Sequence, residues 1–188
     1  MKNSIISFAF LLIFAGAVTA ADNNTDAHKI TIGIPNIALL DIEPNNDGFD
    51  MDVTQAVANE AGNPLDFTVT NATKWLNYTS VVNSGQTRRI TAQITTGTLP
   101  SGVSLKVQAS TSSTGKGTLG TTTGVKTLLT TGTVDVITGI GSCYTQNGAN
   151  KGSLLSYSIE MADDNSTSWS QLVSDDYEVT ITYTITEN

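Results

Sequence analysis

The pattern that most narrows what this chain can fold into is a two-residue alternation that recurs from residue 30 to the C-terminal end. Val103, Leu105, Val107 and Ala109 are separated by the polar Ser104, Lys106 and Gln108. Val179, Ile181, Tyr183 and Ile185 are separated by threonines. Successive side chains of an extended strand point to opposite faces, so each run builds one apolar and one polar face. A helix would scatter the same residues around its axis. Threonine makes up roughly one residue in six, well above ordinary usage. Branching at Cβ restricts χ1 and favours extended backbone. The expected fold class is all-β: an antiparallel β-sandwich with Greek-key links and at most one short helix.

The alternation places the strands. Residues 30–34 put Ile30, Ile32 and Ile34 on one face, and 37–42 continue extended. Residues 65–70 alternate around Phe67 and Val69. Residues 75–82 set Trp75, Asn77, Thr79 and Val81 on one side, with Trp75 read as core. Residues 87–95 turn Ile90, Ala92 and Ile94 inward, and 103–109 alternate cleanly. Residues 125–130 and 134–138 pair near Gly132, followed by 154–161 and 177–186. Only residues 52–61 have a helical pattern, with Val53, Ala56 and Val57 on one face. Residues 110–124, mostly Ser, Thr and Gly, predict a mobile surface loop or a flexible hairpin tip.

The N-terminus reads as an export signal. Lys2 precedes an apolar run from Ile5 to Val18, and Val18-Thr19-Ala20 presents the small residues a signal peptidase reads. The run is short for a bilayer span, which needs about 20 apolar residues. Residues 1–20 are expected to be a signal peptide, 21–28 a flexible mature N-terminus, and 29–188 a single β-sandwich domain. The mature chain of roughly 168 residues suffices to bury a core without cross-links. The expected location is secreted or at the cell surface, without membrane insertion. Cys143 is the single cysteine, so no disulfide forms within the chain, and its strand-like surroundings predict a buried thiol. The net charge of −8, with 9 Lys and Arg against 17 Asp and Glu, argues against nucleic acid. Arg88 and Arg89 alternate to opposite faces and make no basic patch.

Catalytic constellations are not visible. Hydrolytic triads and histidine metal sites need imidazole, and the one histidine, His28, stands at the mature N-terminus. The acidic residues cluster in polar loops, where solvated turns are the ordinary reading. The chain is therefore expected not to be an enzyme. The metal candidate is a calcium loop formed by Glu43, Asn45, Asp47 and Asp50, with Gly48 at the turn. It departs from an EF-hand loop in having Glu at the first position and Thr54 where a bidentate Glu belongs. Trp169 is the ligand candidate, an aromatic in a polar loop able to stack on a sugar ring. That residue motivates an alternative reading, a monomeric secreted or cell-surface module binding carbohydrate or protein. Sequons at Asn23, Asn71, Asn77 and Asn165 would matter in a eukaryotic secretory pathway.

The two ends carry a resemblance. His28-Lys29-Ile30-Thr31-Ile32-Gly33-Ile34 follows the cleavage site, and Tyr177-Glu178-Val179-Thr180-Ile181-Thr182-Tyr183 leads into the last strand. In these ends, and in length, export, acidity and threonine content, the chain resembles pilus subunits of the chaperone–usher (fimbrial) type. The family's frequent disulfide is missing here. The resemblance implies an incomplete immunoglobulin-like sandwich, an assembly chaperone, a role in cell adhesion, and a homo-oligomeric filament in which one subunit's N-terminal strand completes the next. Ile30, Ile32, Ile34, Ile37 and Leu39 would then be subunit contacts. The same segment is equally readable as the first strand of its own closed sandwich.

Overall fold

The computed structural model describes residues 24–53, 61–65, 67, 69–163 and 166–188. The N-terminal apolar run and most of the expected helix at 52–61 lie outside them. Residues 34–188 form one compact unit, and residues 24–33 belong to a separate one.

The larger unit is an all-β, two-sheet antiparallel sandwich. Sheet A contains β1 (Ile37–Glu43), β2 (Thr70–Val81), β4 (Val103–Ala109), β5 (Lys116–Gly117), β7 (Lys126–Thr127), β9 (Cys143–Tyr144) and β10 (Ser153–Met161). Its order is β5-β9-β2-β10-β4-β7, with β1 on β2. Sheet B contains β3 (Arg88–Gly97), β6 (Thr121–Thr122), β8 (Val134–Ile140) and β11 (Val179–Glu187), in the order β11-β3-β8-β6. Most connections cross from one sheet to the other. The core lies between the sheets, where Leu76, Tyr78, Ile90, Val107, Ile137, Ile140 and Leu155 are buried. The expected inward rows of β3 and β4 are the rows that are buried.

Several expectations change. Residues 125–130 and 134–138 do not pair with each other: β7 pairs with β4 in sheet A, and β8 pairs with β3 and β6 in sheet B. Residues 30–34 are in no strand, and the first strand starts at Ile37. Residues 65, 67 and 69 also lie outside any strand, although the Val69 carbonyl accepts the Ile159 N–H at 3.2 Å just before β2 begins. Trp75 is half-buried and outside the core, because Leu76 and Tyr78 hold the inward parity of β2. Alternation identifies two faces of a strand without saying which is inside.

The Ser/Thr/Gly stretch at 110–124 contains two short strands, β5 in sheet A and β6 in sheet B. Its glycines serve close approach. Gly117 has φ +95°, and a Cβ there would stand 2.3 Å from the Ser142 carbonyl oxygen. Gly115 is similarly pressed against Tyr144, with φ +96° and 2.0 Å to that residue's oxygen. Only a residue without Cβ fits such backbone-to-backbone contact at positive φ. Among the described residues the one helix is α1 (Ser166–Ser170).

Candidate assembly surface

Residues 24–36 are exposed and form no strand. Within them Ile30, Ile32 and Ile34 are 72%, 80% and 77% exposed. Three isoleucines in alternation on an exposed segment make an apolar row open to solvent.

The root of this tail is tied down. Arg88, inward-facing on β3, is buried. Its Nη1 donates to the Ile37 carbonyl, to Ser80 Oγ at 3.2 Å and to the Val81 carbonyl at 3.3 Å. Its Nη2 donates to Asn36 Oδ1 and to Glu187 Oε1 at 3.3 Å. The planar guanidinium thus joins the start of β1, the end of β2 and the end of β11. Asn36 Nδ2 also donates to Glu187 Oε1, at 3.4 Å. The alternation put Arg88 and Arg89 on opposite faces, as observed. It gave no sign that Arg88 would be a knot, because its partners lie far away in sequence.

At the other end of β11 the sandwich opens. A cleft of about 1480 Å³ runs between the sheets, lined by Ile42 of β1, Leu105 of β4, Ile159 of β10 and the inward residues Val179, Ile181 and Tyr183 of β11. Those β11 residues are only half-buried, unlike the equivalent row of β4. β11 pairs with β3 alone among the described strands, leaving its second edge unpaired. Acidic residues line the same cleft: Asp47, Asp50, Asp52, Asp175, Asp176 and Glu178. Across it Tyr157 and Tyr183 share a phenol hydrogen bond of 2.8 Å, and Phe49 packs on Tyr157 with ring centroids 5.0 Å apart. Burial pushes the Tyr157 phenol up to about 12. Burial, and then the neighbouring Tyr157, raises Tyr183 well above its ordinary value.

The other candidate residues are placed as follows. Lys74, buried on β2, donates to the Asn45 carbonyl at 3.1 Å and to Asn45 Oδ1 at 2.9 Å. Asn45 Nδ2 donates to Asp47 Oδ2 at 2.6 Å. Asn45's oxygens thus face an ammonium, while Glu43 is half-buried at the end of β1 and Asp50 is exposed. Among the described residues no group of three or more His, Cys, Asp or Glu is placed to hold an ion. Trp169 is half-buried on α1, with its ring edge-to-face against Phe67 at 6.0 Å. Cys143 is buried, and burial raises its thiol pKa. Asn77 of the third sequon is buried and donates to the Gly148 carbonyl at 3.0 Å. Ile37 and Leu39 lie in β1, paired opposite Val81 and Thr79.

Comparison with protein-family models, with curated proteins and with solved structures finds no match to this chain.

Proposed function

We propose that this chain is a non-catalytic, exported structural subunit of a surface filament, joined head to tail by donation of its N-terminal strand. The observation that carries the reading is the coexistence of an exposed alternating isoleucine row with an incompletely covered cleft beside an unpaired strand edge. An added strand would satisfy the edge N–H and C=O groups of β11, while alternate side chains fill the apolar cleft. Burying each isoleucine contributes about 1.5–3 kcal/mol, against the cost of ordering the tail. Charge favours the same pairing. Between Asp26 and Asp41 the chain carries His28 and Lys29 and no acid, whereas the net charge of the whole is −8. The tail leaves the sandwich beside Glu187, while the cleft includes Val179 at the other end of β11. That polarity suits a heterologous contact, which propagates without closing. A sugar-binding role for Trp169 has less support, since its ring packs on Phe67.

The test is electron microscopy and size exclusion of the mature protein with and without residues 21–35. Filaments or an oligomer ladder from the former, and a folded monomer from the latter, are expected. A mature protein that stays monomeric at every concentration contradicts the reading.

A further inference from the structure

We propose that the outer face of sheet A beside the tail root is a second part of the subunit joint, packing against the same neighbouring copy whose cleft holds the tail. The inference rests on the strand-donation reading above. In β1 Ile37 lies opposite Val81 and Leu39 opposite Thr79; Thr79 lies opposite Tyr144 of β9, and Tyr144 opposite Lys116 of β5. Directly opposed residues of antiparallel strands share a face. Leu40 and Cys143, the chain neighbours of Leu39 and Tyr144, pack into the core, so this row looks outward. Leu39 is 62% and Tyr144 44% exposed, and Ile37 and Val81 are half-buried. The solvated face of an antiparallel sheet is ordinarily polar. Here it carries four apolar side chains together.

The tether identifies what covers them. Ile34 and Ile37 are three residues apart, a span of at most about 10 Å even when extended. Between them Pro35 fixes its own φ, and Asn36 is held by Arg88 and Glu187. A copy that takes Ile34 into its cleft therefore brings its own surface to within about 10 Å of Ile37. Asp175, Asp176 and Glu178 line that cleft, and exposed Lys116 borders the patch. The two surfaces are complementary in charge, in a chain whose copies otherwise repel.

The experiment uses the full mature chain in four forms: wild type, Leu39→Thr with Tyr144→Thr, Lys116→Glu, and Ile32→Asp. Threonine keeps the strand preference of the patch positions. Sedimentation over a concentration series reads assembly, and thermal melting at low concentration reads the monomer. The double variant should melt as wild type does and need about tenfold more protein to assemble. Lys116→Glu leaves the apolar packing alone; it should weaken assembly several-fold and flatten its salt dependence. Wild-type assembly by both patch variants, while Ile32→Asp still blocks it, overturns the patch and leaves strand donation standing. Wild-type assembly by Ile32→Asp, or none by wild type, overturns strand donation and the patch with it.

Discussion

β4 and the tail are written in the same pattern and meet opposite fates. In β4 the alternate residues Val103, Leu105, Val107 and Ala109 are at most 9% exposed, flanked by β10 and β7 and roofed by sheet B. In the tail Ile30, Ile32 and Ile34 are at least 72% exposed. β11 stands between them, paired on one edge among the described strands, with an apolar row that is half-covered. Alternation thus determines that a face is apolar. Coverage depends on what the rest of the fold brings to it, and the tail's row is left exposed.

The sharpest way to break the comparison is to put the same charge into both rows. Val107→Asp buries an unpaired carboxylate and should cost more than about 4 kcal/mol, unfolding the sandwich by circular dichroism. Ile32→Asp should leave the dilute monomer's melting unchanged while abolishing assembly; a lowered monomer melting temperature would mean the tail row is already covered at home. Next in size is Gly117→Val, which sets a Cβ against the Ser142 oxygen at positive φ. About 3 kcal/mol of lost stability in urea melts is expected there, whereas Gly33→Val, at a position with nothing within 4 Å, should cost little.

Tyr157, buried on β10 and hydrogen-bonded to Tyr183 of the half-covered row, should make stability respond to pH. In the unfolded chain Tyr157 ionises at its ordinary 10.0, and in the folded protein at about 12. The unfolded chain loses its proton first, so this contribution is complete below pH 10 and disappears as pH rises from 10 to about 12. Its size is on the order of 2 kcal/mol. Tyr157→Phe should flatten the alkaline limb of the stability curve measured by urea melts. The smallest effect is expected at the partly exposed ion pair between Lys106 and Glu160 on the outer face of the β4–β10 ladder. Lys106→Ala should change stability by no more than about 1 kcal/mol.

Much of the sandwich was readable from residue order alone. β4 begins and ends where its alternation does, and β11 starts two residues into the expected segment. What escaped the reading depended on distant partners. Trp75 could be assigned a face but not the inner one, since Leu76 and Tyr78 compete for it through the opposing sheet. Gly115 and Gly117 looked like flexibility because a glycine chosen for freedom and one chosen for close approach are the same letter. Alternation placed Arg88 and Arg89 on opposite faces, but the role of Arg88 depends on Asn36 and Glu187, 52 and 99 residues away. The tail half of the proposed assembly surface was legible as the alternating row of residues 30–34. Its proposed acceptor half required knowing that β11 pairs with β3 alone among the described strands.

The central claim is that another copy covers the tail's isoleucine row. Amide hydrogen exchange of residues 30–34 tests it directly, in the mature protein held as dilute monomer and as assembled oligomer. The account predicts fast exchange in the monomer and strong protection on assembly, because strand addition gives these amides carbonyl partners. Oligomers in which residues 30–34 exchange as fast as in the monomer would contradict it.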